Sequence, residues 1–329
     1  MKNKLIWLIC IVVAVFLLSQ MVKRRADIDV DGALNTVSHI TVVDNKAKSL
    51  AKKCAELINE YDGLFSVSDS QSDVYKINNS GDWVSVSPQT IDIISDSSEF
   101  FVQSQGRFDI TVGALSDLWN KGVVPEHEKI ENLLSDVDFS SLQIDFKNSK
   151  IKRGNHKITL GAVAKGYIAD RIADYLKEKN AYGAMINLGG NIYAHGTKAK
   201  NELWKVGITD PCDTSQLIGA VTVSDKFVVT SGDYERYFEY DGERYHHILD
   251  SETGYPAKSG LISTTIISDN GFLADALSTA CFILGLEKGA ELAHKYNVKI
   301  IFVTDDKKIY CSKGIGFDKK SDAYEYIEI

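Results

Sequence analysis

The order of apolar and polar positions divides the chain into an apolar leader and a long body of mixed strands and helices. Leu5 to Val22 is an eighteen-residue run in which only Ser19 and Gln20 are polar. Two lysines precede it and Lys23-Arg24-Arg25 follow. A run of this length just reaches across the roughly 30 Å hydrocarbon core of a bilayer. It is longer than the core of a cleaved signal peptide, and it lacks an obvious small-residue cleavage site. The alternative is a buried core helix, but a domain helix rarely starts at residue 5 with charges at both ends. Residues 1–25 therefore read as a signal anchor. The flanking charges are nearly balanced and leave its orientation open.

Beyond the leader, Thr36 to Val43 alternates and is rich in β-branched residues, which predicts a strand. Asn45 to Tyr61 places Ala47, Leu50, Ala51, Cys54, Leu57 and Ile58 on one helical face. A second helix is expected over 88–104, short strands over 141–159, and an amphipathic helix over 164–179 with Ile168, Ile172 and Leu176 at spacing four. Short strands separated by Gly, Asp and Asn fill 184–268. One long helix is expected over 273–295, then strands near 298–303 and 308–311. Strands with interspersed helices, without strict βαβ alternation, predict an α+β fold with a mixed, largely antiparallel sheet and packed helices. No linker divides residues 26–329, which read as one catalytic domain.

Composition changes this picture little, but charge does. The 329 residues are 44% hydrophobic and 25% charged, which is ordinary for a globular chain. The net charge is −8, yet residues 1–25 hold five cations and no acid, leaving 32 cations against 45 acids in the body. A body that acidic repels a polyphosphate backbone and excludes nucleic acid as a partner. A phosphate-ester ligand would need a metal cation as mediator. Cys10, Cys54, Cys212, Cys281 and Cys311 show no CxxC spacing, so free thiols are expected and a zinc site is not.

Five segments carry candidate chemistry. Gly161-Ala162-Val163-Ala164-Lys165-Gly166 is a glycine turn between an expected strand, Lys157–Leu160, and a helix start, which suits an anion. It is not a P-loop, and a plain turn with a surface lysine is the alternative. Asp275 and Thr279 are four apart and share one helix face, supplying hard oxygens suited to Mg²⁺. They could equally be an N-terminal-turn carboxylate and a solvated hydroxyl. In Tyr245-His246-His247-Ile248-Leu249-Asp250, strand alternation sends the two histidines to opposite faces, so at most one enters a given cleft. Finally, 230–237 and 108–119 crowd hydroxyls, carboxylates and rings at single junctions.

Seven stretches in this order are FDITVGALSDLW (108–119), TLGAVAKGYIAD (159–170), INLGGNIYAHG (186–196), WKVGITDP (204–211), TSGDYERYF (230–238), YHHILDSETGYP (245–256) and ADALSTACFILG (274–285). Together they resemble the FAD:protein FMN transferase family, also called the ApbE family. LNTVSHITV (34–42) and the 65–79 run look like its N-terminal elements.

The resemblance implies a domain outside the cytoplasmic membrane that takes FAD as substrate and Mg²⁺ as cofactor. It implies transfer of FMN to a Thr or Ser hydroxyl of an acceptor protein, with release of AMP. The acceptor is expected to be an extracytoplasmic electron-transfer protein. An Mg²⁺-dependent FAD pyrophosphatase and a non-catalytic tethered flavin-binding protein are the competing readings. By the same resemblance, Ala162, through its carbonyl, and Asp275 and Thr279 fall on metal positions. Leu34, Ser68, Arg107, Phe108, Asp109, Thr159, Lys165 and Ile248 fall on FAD-contacting positions. His247 matches the family histidine, and His247 or Asp250 would serve as base, whereas a change at His246 is expected to be silent. Thr159 stands where relatives usually have Asp, and Leu34 and Ser68 where many have Met and an aromatic residue.

Overall fold

The computed structural model describes residues 24–329. The expected anchor, Leu5–Val22, lies outside them, and among the described residues no helix is long and apolar enough to cross a membrane. The core is one nine-stranded sheet in the order Arg24–Asp31, Val37–Asp44, Gly183–Leu188, Asn191–Gly196, Lys226–Gly232, Leu261–Ser268, Lys299–Thr304, Lys308–Cys311 and Glu325–Glu328. Only its last pairing is parallel, so the fold is α+β with a largely antiparallel sheet. The first strand begins at Arg24, which pairs with Asp44. Arg24 and Arg25, read from sequence as the anchor's charged flank, thus belong to the folded body.

The sheet is covered on both faces, and the strand sequences record this. The edge strand Arg24–Asp31 alternates exposed and buried positions, whereas Leu261–Ser268 is buried along almost its whole length, as a strand packed on both sides must be. Helices Ala47–Phe65, Ala164–Glu178 and Gly271–Leu284 pack on one face around the larger apolar cluster, which includes Ile58, Ile172, Tyr193 and Phe282. A three-stranded sheet, Trp204–Asp210 with Asp213–Val223 and Asp318–Lys319, packs on the other through Trp204, Val206, Ile218 and Val221. A third small cluster, built on Leu115, Trp119 and Ile130, comes from the short helices Gly113–Trp119 and His127–Leu134. Neither helix is evident in the sequence pattern, because each is only about two turns long.

Two expectations are corrected. The helix expected over 273–295 is two helices, Gly271–Leu284 and Leu286–Lys295, parted at Gly285 with φ +80°. A left-handed glycine is the usual terminator of a helix. The expected strand at Lys157–Leu160 is an extended segment outside the sheets. It is held by a single bridge from Lys157 to Val112 and by Thr159 N–H to the Ile110 carbonyl at 2.8 Å. Asn78 grips Ile158 from both sides, donating to its carbonyl and accepting from its N–H, each at 2.8 Å. Cys54, Cys212, Cys281 and Cys311 are free thiols.

Candidate active site

The segment 159–166 turns from this pinned extension into the helix Ala164–Glu178, and two glycines decide what it meets. A Cβ placed on Gly166 would lie 2.2 Å from the Gly271 carbonyl, and one on Gly271 would lie 2.5 Å from the Gly166 carbonyl. The N-terminal turns of two helices therefore touch backbone to backbone. Asp170, one turn on, receives Gly271 N–H and Phe272 N–H on its two carboxylate oxygens, each at 2.7 Å. It satisfies free donors at the start of the second helix. With the helices locked this way, Asp275 Oδ2 accepts the Gly166 N–H at 2.8 Å.

Asp275 is 4% exposed. Burial pushes its carboxyl above the ordinary range, while the Lys165 charge and the Gly166 N–H pull it back. It lines a small pocket of about 140 Å³ together with Thr279, Ala162, His247 and Ile248. Arg107, Phe108 and Asp109 form another wall. This pocket shares Thr159, Gly161, Lys165, Thr230, Glu235 and Arg236 with a cleft of about 1010 Å³. Leu34 and Ser68 line the cleft far from the small pocket's other residues in sequence. Leu34 adopts a left-handed φ of +57° and is tied down by its N–H to Asp62 Oδ1 at 2.9 Å. Ser68 shares a hydroxyl contact with Ser66 at 3.2 Å.

The adjacent histidines occupy opposite environments, although the strand ends at His246 rather than running to residue 249. His246 is 7% exposed. Its Nε2–H donates to the Ala257 carbonyl at 3.0 Å, its Nδ1 accepts the Ile248 N–H at 3.3 Å, and its ring packs edge-on against Phe282. Both nitrogens are consumed, and burial drops its pKa to about 4. His247 lines the pocket. Its Nδ1 lies 3.2 Å from the Arg236 carbonyl, which can only accept, so Nδ1 carries the proton of the neutral ring. Desolvation, with the nearby Arg236 and Lys165 charges, drops its pKa to about 3. At neutral pH the Nε2 lone pair is free.

Asp250 lines neither cavity. Its Oδ1 takes Arg107 Nη1 at 3.1 Å and the Glu252 N–H at 2.9 Å, and Arg107 Nη2 pairs with Glu252. Its visible work is to bind the 106–109 loop to the 250–252 turn, aided by Ser251 Oγ on the Gly106 carbonyl at 2.7 Å. Asp109 is also occupied: Oδ1 accepts Thr111 N–H and Oγ–H at 2.7 and 2.6 Å, and Oδ2 accepts Phe139 N–H at 3.1 Å. Phe108 is buried against Phe100, with ring centroids 5.2 Å apart. These two shape the wall more than they offer free polar atoms. Thr159 Oγ1 accepts the Gly161 N–H at 3.3 Å and so orders the turn it opens.

Sequence reasoning singled out the segment 230–237 but gave no role to Glu235 within it, which lines both cavities. Its carboxyl is raised by burial and lowered by Lys165 and Arg236. It gave no role either to Ser231, whose hydroxyl is 3.4 Å from that of Thr279, or to Asp170. No local spacing marks Ser231 or Asp170, because their partners lie 47 or more positions away.

The sequence profile of the ApbE family matches residues 34–302, a stretch that takes in every site residue from Leu34 to Thr279. The chain belongs to the ApbE family. It is 35% identical over 293 residues to the FAD:protein FMN transferase of Klebsiella pneumoniae (strain 342), covering 85% of this chain and 91% of the relative. It is 38% identical over 237 residues to the protein of the same name from Treponema pallidum (strain Nichols), covering 66% of each. The crystal structure of the ApbE protein of Thermotoga maritima superposes with a TM-score of 0.80 at 33% identity, over 91% of this chain and 97% of that one.

As a family member the chain invites a test for a cation site. Among the described residues no group of three or more His, Cys, Asp and Glu side chains is placed to hold a metal. The three positions that the family resemblance marks, the Asp275 carboxylate, the Thr279 hydroxyl and the carbonyl of Ala162, all belong to residues that line the pocket. All three are hard oxygens, the donors that Mg²⁺ prefers, and Mg²⁺ commonly takes only one or two carboxylates and completes its shell with substrate phosphates and water. Asp275 is buried and bears an ionisation cost that a cation would offset. The residues fit such an ion.

Proposed function

We propose that this protein is an FAD:protein FMN transferase that works with Mg²⁺. The observation that carries the reading is the meeting, in one small pocket, of an unprotonated imidazole nitrogen and a set of hard oxygen donors, at the end of a cleft the size of a dinucleotide site. The family membership and the relatives' names support the same activity.

In this reading FAD lies along the cleft with its pyrophosphate at the small pocket. Ala162, Asp275 and Thr279 hold the cation, which when bound offsets the charge of the pyrophosphate and of the leaving phosphate. Lys165 and Arg236 add positive charge at the junction of the two cavities. A Thr or Ser hydroxyl of the acceptor protein attacks the phosphorus of the FMN half, the bond to the bridging oxygen breaks, and AMP leaves. His247 Nε2 takes the hydroxyl proton. Asp250, bound to Arg107, keeps the neighbouring turn in place.

Incubation of the protein with FAD, Mg²⁺ and a flavin-acceptor domain, read by in-gel flavin fluorescence, tests the proposal. A fluorescent acceptor band is expected. Free FMN and AMP without a labelled acceptor would make the enzyme a pyrophosphatase, and unchanged FAD would make it a binding protein. We further propose that the apolar run Leu5–Val22 anchors the domain on the outer face of the cytoplasmic membrane. Protease added to cells stripped of their wall should digest it, and full protection would reverse the orientation.

A further inference from the structure

The cation reading above leaves one question that the hydrogen-bond geometry answers: which way the Thr279 hydroxyl points. A hydroxyl has one proton to donate and two lone pairs to accept with. Ser278, fully buried, donates its proton to the Asp275 main-chain carbonyl at 2.8 Å. A carbonyl only accepts, so that proton is committed. Ser231 Oγ lies 2.7 Å from Ser278 Oγ, and with the Ser278 proton spent, Ser231 must be the donor. Ser231 Oγ also lies 3.4 Å from Thr279 Oγ1. With the Ser231 proton spent in turn, Thr279 is the donor in that contact.

The chain of protons thus runs one way, from Thr279 to Ser231 to Ser278 to the Asp275 carbonyl. We propose that Ser231 is a positioning residue for a divalent cation: it accepts the Thr279 proton and so leaves that hydroxyl facing the ion with lone pairs only. The site needs this. A threonine free to rotate presents its proton to the pocket part of the time, and a proton facing a cation is repulsive. The strand Lys226–Gly232 and the helix Gly271–Leu284 are the two elements that meet here, so the device is built across a strand–helix contact.

This inference rests on the cation reading, and its test separates the two. Mn²⁺ is the probe, its free ion counted by electron paramagnetic resonance with purified full-length protein and no FAD. Ser231→Ala should weaken Mn²⁺ binding about tenfold, the low end for residues that orient metal ligands. Ser231→Thr, which keeps a hydroxyl, should restore it. Ser278→Ala, which leaves the Ser231 proton without its acceptor and turns it toward Thr279, should weaken binding as well, and serves if Ser231→Ala does not fold. In a Thr279→Val background, Ser231→Ala should cost nothing more, since its role passes through Thr279. Wild-type affinity in both serine-to-alanine variants, or losses that add in full with Thr279→Val, would overturn the proposal. If Asp275→Asn binds Mn²⁺ as well as wild type, the cation reading itself falls. If Asp275→Asn abolishes binding while both serine variants bind normally, only the role of Ser231 falls.

Discussion

Gly166→Ala is the sharpest single probe of how the site is held. The added carbon would sit 2.2 Å from the Gly271 carbonyl and 2.7 Å from Asp275 Cβ, where such a carbon comes no nearer than 3.0 Å to anything. The obstacle is backbone, not a flexible side chain, so the helices Ala164–Glu178 and Gly271–Leu284 must part by about 0.8 Å. Overpacking of this kind costs about 1–3 kcal/mol, which lowers the melting temperature by several degrees in a domain this size. The Gly166 N–H to Asp275 bond, now 2.8 Å, opens at the same time. A displacement near 1 Å at a reacting centre costs on the order of 10²-fold in rate. Transfer should therefore fall far more than stability, measured as the initial rate of acceptor flavinylation well below the melting temperature. Gly63→Ala is the control: Gly63 lies in the helix Ala47–Phe65 with nothing within 4 Å of its would-be Cβ, and alanine there should be neutral or stabilising. If Gly166→Ala melts and turns over like wild type, the helix contact does not set the position of Asp275.

Asp275→Ala should cost orders of magnitude in transfer at limiting Mg²⁺ while the fold persists, and equal turnover of mutant and wild type would contradict its role as a cation ligand. His247→Ala should lose about 10²–10⁴ in rate at neutral pH yet still bind FAD, as fluorescence titration can check, with the deficit shrinking as pH rises from 6 to 9. His246→Ala should lose melting temperature rather than rate per folded molecule, because its ring is packed on Phe282 and bonded at both nitrogens; a larger rate loss at His246 than at His247 would reverse the assignment. Acid should also expose His246. Its pKa is about 4 when folded against 6.5 when unfolded, so below pH 6.5 the unfolded chain takes up a proton that the folded one refuses. Its stability contribution is whole above pH 6.5 and falls toward pH 4, by about 3 kcal/mol at 1.36 kcal/mol per unit. His246→Gln should flatten that decline in urea midpoints, and an unchanged slope would contradict it.

Much of the site was legible because its chemistry lies in short spacings. Asp275 and Thr279 share a helix face at i, i+4, and the two histidines part by simple alternation, although the strand stops three residues sooner than expected. The sheet class was legible from β-branched runs broken by turn residues. What could not be read is what depends on distant partners. Nothing local announces that Gly166 must touch Gly271, that Asp170 caps a helix 101 positions away, or that Asp250 is engaged by Arg107 across 143. Gly285 was visible as a glycine, but its left-handed turn competes with strong helical periodicity on both sides, and the periodicity misled. The Ser231 hydroxyl chain depends on which strand lies over which helix.

The crossing of the two glycines also sets a clock. Leu34 and Ser68 leave the ribosome early, while the helix that bears Asp275 and Thr279 comes nearly last. Until that helix docks on Asp170, the pocket lacks its carboxylate and the turn at Ala162 faces nothing. A chain still being made, with the helix Gly271–Leu284 not yet in place, thus lacks Asp275 and Thr279 in its pocket. The pocket is completed late in the chain, when that helix meets Asp170 and the Gly166 turn.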